Sequence, residues 1–149
     1  MANRDKDAAG LLMSVPPAAV PAFARLAGEA WLKAGLPTAA VTPLEQVAAA
    51  AATDARTRRS LALAYALAGD TAKALPLLTA HLAGPGAKDG PAIASGVYVL
   101  YLRHAAAIDA ASIGPDRAQA RAWARAYAAT RGPLAPIVEA WAGHLEGLK

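Results

Sequence analysis

No stretch of this chain alternates apolar and polar side chains with a period of two, as strands rich in Val, Ile and Thr do. Runs dominated by Ala, Leu and Arg, all helix formers, lie instead between Pro and Gly punctuation. The pattern predicts an all-α chain, with helices near 17–34, 43–53, 55–68, 71–83, 91–111, 115–131 and 134–147. The helix at 91–111 is the most apolar. Val97, Tyr98, Leu100, Tyr101, Leu102, His104 and Ile108 cover most of its circumference, which predicts burial in the core or by a partner. Trp123, Trp141 and Ile137 are expected in the core.

Several boundaries have a local cause. Thr42-Pro43-Leu44-Glu45 reads as a capping box with Pro at the first helical position, so a helix is expected to start there. Gly69 followed by Asp70 ends one helix and caps the next. Gly114-Pro115-Asp116 and Gly132-Pro133 are read the same way. Pro76 either displaces the start of the 71–83 helix or kinks it. The stretch from Gly84 to Pro91 is the clearest loop and the expected first site of proteolysis. Residues 1–15 read as a tail and 16–149 as a single domain, with an exposed loop at 84–91.

A period of 34 residues runs through the first half. Between Arg25–Ala49 and Arg59–Ala83, seven of 25 offset pairs are identical, among them Arg25/Arg59, Gly35/Gly69, Ala40/Ala74 and Leu44/Leu78; Trp31 falls opposite Tyr65. The second unit carries Leu61, Ala62, Tyr65, Gly69, Ala74 and Leu78 at the spacing of a Leu and small residue, an aromatic, a turn glycine, a small residue and a large apolar one. In this it resembles a tetratricopeptide repeat (TPR). The first unit, with Gly28, Trp31, Gly35, Ala40 and Leu44, is similar, but its capping box at Thr42 starts the second helix late and makes its turn longer than the family expects. The resemblance covers 20–83 well and 91–148 loosely. It implies a right-handed α-solenoid of about three antiparallel helix pairs, with the last helix as a C-terminal cap.

Composition narrows the chemistry. The chain has 149 residues, 56% hydrophobic and 17% charged, which excludes a disordered tail. Alanine supplies 44 residues against one Phe, so helix contacts are expected over small side chains. Cysteine is absent, which removes disulfides, thiolate zinc sites and thiol nucleophiles. The high Ala, Arg, Gly and Pro content points to a GC-rich bacterial genome. Ala22-Phe23-Ala24 has the spacing of a signal cleavage site. However, Asp5, Asp7, Pro16, Pro17 and Pro21 spoil the preceding pattern, so a cytoplasmic protein is expected, with the periplasm as the alternative. The longest later apolar run, 93–102, is half the length of a membrane span.

No residue set supports catalysis. His81, His104 and His144 lack the spacing of a helical metal site, the serines lack a nucleophile elbow, and no glycine-rich loop carries a phosphate-binding signature. The expected protein is neither an enzyme nor a carrier of a cofactor or metal. If the resemblance holds, the first helix of each pair lines a concave face bearing Arg25, Glu29, Lys33, Arg56, Arg59 and Leu63. A basic face of this kind suits an acidic peptide or a C-terminal carboxylate. Some family members clamp a carboxylate there with Lys, Asn and Arg; here Glu29 and Leu63 stand in place of the Asn. A second basic stripe, Arg117, Arg121 and Arg125, recurs every four residues with no acid between them on the same helix. It lacks the stacking aromatics that nucleic acid would use. The functional expectation is a protein-binding adaptor or assembly factor. The alternative is a structural subunit that forms homo- or hetero-oligomers through 91–111 and 134–147.

Overall fold

The computed structural model describes residues 21–50 and 54–149. Among these the chain is all-helical, with no strand. The helices are α1 (Pro21–Lys33), α2 (Pro37–Ala50), α3 (Ala55–Ala68), α4 (Thr71–Ala83), α5 (Gly90–Ala105), α6 (Ile113–Ala129) and α7 (Ala135–Gly147). The expected tail at 1–15, and positions 17–20 and 51–53 of the first two expected helices, lie outside the described residues.

The chain divides into two compact units, one ending at Ala68 and one running Gly69–Lys149. In the first, α2 packs against both α1 and α3, and α1 touches α3. In the second, α5 packs against α4, α6 and α7, and α6 packs against α7. Within each unit, then, consecutive helices are neighbours.

The 34-residue period persists in local structure. Pro37 and Thr71, 34 residues apart, begin α2 and α4. Gly35 and Gly69 both take the left-handed conformation, with φ of 75° and 83°. Gly35 closes α1 in a two-bond cap: its own N–H donates to Leu32 and that of Leu36 donates to Trp31, at 3.1 and 2.9 Å. The offset partners Ala40/Ala74 and Leu44/Leu78 are all fully buried. Each such leucine contributes about 1.5–3 kcal/mol relative to exposure.

Two expected boundaries move. The second helix begins at Pro37, not Pro43, so the turn after α1 is short and Pro43 sits inside α2. The reason is tertiary: Ala40, Leu44 and Val47 form one buried face, continuous only if the helix starts before residue 40. The ring of Pro43 is itself buried. Glu45 does not cap; it accepts a hydrogen bond from the buried Tyr65 hydroxyl. The fifth helix ends at Ala105 rather than 111, and α6 begins at Ile113. Ile108 therefore lies outside α5 and is exposed. Gly114 and Pro115 occupy the first turn of α6, where a missing N–H costs no intrahelical bond. Pro76 is likewise internal to α4 and exposed.

Asp70 caps α4 as expected, accepting from the Lys73 amide at 3.2 Å. Asp89 caps α5 through the Ala92 amide at 3.4 Å, and its other oxygen lies 2.7 Å from His81 Nε2. The Gly86 amide bonds the His81 carbonyl at 3.0 Å. The connector is thus clasped at both ends, although Gly84, Pro85, Ala87 and Lys88 are exposed.

After α6 the left-handed residue is Arg131, with φ of 55°, and not the adjacent glycine. Arg131→Gly is therefore expected to stabilise the chain by about 0.5–1 kcal/mol, the strain relieved less the entropy a glycine adds to the unfolded state. A rise in denaturation midpoint checks this.

Candidate functional site

Three of the six residues expected on the first basic face meet directly. Arg25 and Glu29 are one turn apart on α1, with Nη1 3.4 Å from Oε1. From α3, Arg56 grips the same carboxylate in a two-pronged fork, Nε to Oε1 at 3.0 Å and Nη2 to Oε2 at 2.9 Å. Ser60, one turn after Arg56, adds its hydroxyl to Oε1 at 3.3 Å. Glu29 thus neutralises the middle of the strip. Arg56 remains 64% exposed, whereas Glu29 is only 19% exposed. Lys33 is exposed one turn beyond Glu29, while Arg59 and Leu63 are half-buried along α3. Sequence reasoning missed Ser60, whose signal was its i+4 spacing from Arg56.

Asp54 organises the start of α3. Its carboxyl is held below the ordinary range, chiefly by the Thr57 hydroxyl at 2.6 Å, and also by the amides of Arg56 and Thr57 and the charge of Arg25.

The second stripe is not left un-neutralised. The acids come from α7, not from its own helix. Arg121 makes a fork to Glu146, with Nε to Oε1 at 2.6 Å, and also bonds Glu139. This fork holds the Glu146 carboxyl below its ordinary range. Arg117 donates from Nε to the Leu145 carbonyl at 2.8 Å, in the last turn of α7, where a cation also meets the negative end of the helix dipole. Arg125 is exposed. Most of this stripe therefore fastens α6 to α7.

Two of the three histidines pair with carboxylates, His81 with Asp89 and His104 with Asp116. His104 is buried; its Nδ1 accepts from the Asp109 amide at 3.2 Å, so its proton lies on Nε2 and is donated to Asp116 at 2.8 Å. A general base needs one nitrogen open, and this ring has none. Arg103 also reaches Asp116 at 3.3 Å and Asp109 at 3.6 Å. A cleft of about 300 Å³ between α4 and α5 is lined by Thr71, Ala72, Leu75, Pro76 and this same arginine. Among the described residues no group of three or more His, Asp or Glu is placed to hold a metal ion. Nor is any helix there long and apolar enough to cross a membrane.

A scan of protein-family models, a search of curated proteins and a search of solved structures each returned no match.

Acid sensitivity follows from three carboxyls. Asp54, Asp109 and Glu146 have folded pKa values below their ordinary ones, Asp109 chiefly through the Ser112 hydroxyl and the Ala111 amide. A depressed folded pKa contributes stability above the unfolded value and loses it as pH falls through the folded one. Stability is therefore expected to be level from neutrality to about pH 5 and to fall below about pH 4. Thermal melts across that range check it, and Asp109→Asn should flatten the slope.

Proposed function

We propose that this chain is a TPR-like interaction module, without catalytic activity of its own, that holds an acidic segment or C-terminal carboxylate of another protein on the α1–α3 face. The observation that carries the reading is the way Arg56 already holds a carboxylate, that of Glu29, in fork geometry at a partly exposed position, with Arg25 adding a single contact. Arg forks of this kind select carboxylates by shape as well as charge. The reading is supported by the 34-residue offset between the starts of α2 and α4 and between the left-handed glycines. On this reading a partner carboxylate exchanges with Glu29 for Arg56, so Glu29 sets the affinity.

The test is fluorescence anisotropy with a labelled ten-residue Asp/Glu-rich peptide bearing a free C-terminus. Charge reversal at Arg56 is expected to weaken binding about tenfold or more, as is the double variant Arg25→Glu/Arg59→Glu. Glu29→Gln, which releases two guanidiniums, is expected to tighten it about three- to tenfold. Circular dichroism should stay unchanged. Equal affinity of all four proteins, or no binding at low salt, overturns the proposal.

A further inference from the structure

The ring of His104 ties an exposed turn to the core. Its Nε2–H donates to Asp116 on α6, and its Nδ1 accepts the Asp109 amide at 3.2 Å. Asp109 is the node of the turn between α5 and α6. Its carbonyl receives the amides of Ser112 and Ile113 at 3.2 and 3.0 Å. Its carboxyl receives the Ala111 amide at 3.1 Å and the Ser112 hydroxyl at 2.6 Å. Residues 105–111 are all exposed, whereas the imidazole is wholly buried. The charged groups around the ring are Arg103, Asp109 and Asp116. On α4, the residues nearest Arg103 are Thr71, Ala72, Leu75 and Pro76, none of them titratable, and His81 is paired with Asp89. On α7, Glu139 and Glu146 are bound to Arg121, and His144 lies against Tyr101. Arg117 of α6 is turned to the Leu145 carbonyl. The Asp109 carboxyl is held below its ordinary range, chiefly by the Ser112 hydroxyl, so it stays charged at about pH 5.5. Histidine is the one residue type in this cluster whose ordinary range falls between about pH 5 and 8.

The geometry points to an acid-sensitive latch: protonation of His104 releases the α5–α6 turn while the helices stay packed. An imidazolium has two N–H donors and no acceptor. A proton on Nδ1 would face the Asp109 N–H, donor against donor, at 3.2 Å. The closed turn therefore takes up no proton there. Opening breaks the bond from the amide to Nδ1, water supplies the proton, and the new Nδ1–H bars reclosure. The freed Asp109 amide donates to water, because the turn lies at the surface. Only the open form binds this proton, so its population rises as pH falls. The Nε2–H bond to Asp116 persists in both forms and becomes charge-assisted in the open one. That gain offsets the lost amide bond, so the unfolding midpoint stays level while the turn responds. Opening also draws the Asp109 carbonyl away from Ser112 and Ile113, which frays the first turn of α6 and uncovers the buried Ile113. The inference does not depend on the α1–α3 reading.

The test is NMR of the ¹⁵N-labelled full chain between about pH 7.5 and 5.5, a span that brackets the ordinary histidine value. Hydrogen exchange at the Asp109 amide, corrected for its intrinsic rate, is expected to lose about tenfold in protection across that span. Ser112 and Ile113 should lose less, and Leu100 in the interior of α5 should not change. The His104 Nδ1 resonance, assigned with His81→Gln and His144→Gln, should pass from that of an acceptor to that of an N–H. His104→Asn offers the Asp109 amide a carbonyl oxygen that does not titrate, so its protection there should be flat with pH. Three outcomes overturn the proposal: flat Asp109 protection in the wild type, an Nδ1 that is still an acceptor at the acid end, or an unchanged slope in His104→Asn. Should that variant fail to fold, the two wild-type signals decide.

Discussion

Asp116→Ala is expected to destabilise the chain by about 3 kcal/mol, the largest loss of any single polar substitution considered. The carboxylate is 10% exposed and accepts a hydrogen bond from a histidine whose side chain is wholly buried. It also draws Arg103 inward at 3.3 Å. Truncation leaves the His104 Nε2–H donor without a partner in a place water does not reach, and an unmade buried bond costs more than a made one contributes. The loss should extend to architecture, because His104 is the hub between the end of α5 and the start of α6. Its Nδ1 receives the Asp109 amide of the intervening turn. Asp116→Asn, which keeps an acceptor but loses the charge toward Arg103, should cost roughly half as much. Urea denaturation followed by dichroism reads both. A midpoint for Asp116→Ala equal to wild type would mean that the cluster is decorative.

Gly96→Val is expected to cost a similar amount, about 3 kcal/mol, for a steric reason. Gly96 is buried inside α5 where the Trp123 ring of α6 lies across it. A Cβ there would stand 2.8 Å from Cζ3 and 2.9 Å from Cε3 of that ring, with Leu82 Cδ1 at 3.4 Å. The ring is rigid and 8% exposed, so it has little room to retreat. Gly96→Ala sets two effects against each other: helix propensity gains about 1 kcal/mol and overpacking loses about 1–3 kcal/mol. A net loss of about 1 kcal/mol is expected. Gly143 provides the contrast, being helical and exposed with nothing within 4 Å of an added Cβ. Gly143→Ala should stabilise by about 0.5–1 kcal/mol. If the two alanines stabilise alike, the α5–α6 approach is looser than described.

Helix identity was legible because its signals are local. Gly69 and Asp70 place the end of α3 and the start of α4 from two adjacent residues. Thr42-Pro43-Leu44-Glu45 has an equally sound local signature, yet α2 runs through it, because the buried Ala40–Leu44–Val47 face outweighs one cap. The α6 stripe shows the same limit. Within its own helix no acid answers Arg121, and the answering Glu139 and Glu146 are 18 and 25 residues away. On the α1–α3 face, Arg25, Glu29 and Arg56 could be grouped in advance because a 34-residue period places α3 one repeat after α1. The fork that joins Arg56 to Glu29 across 27 residues could not.

The sequence by itself determined the all-helical class, the 34-residue spacing of the turn glycines Gly35 and Gly69, and the cap at Asp70. Each depends on backbone preferences spanning a few residues. The tertiary structure alone decided which charges remain open, why His104 is closed to chemistry, and which aromatics stay on the surface. Those outcomes depend on side chains that meet from different helices, where burial and pairing set the energy and sequence distance carries no information.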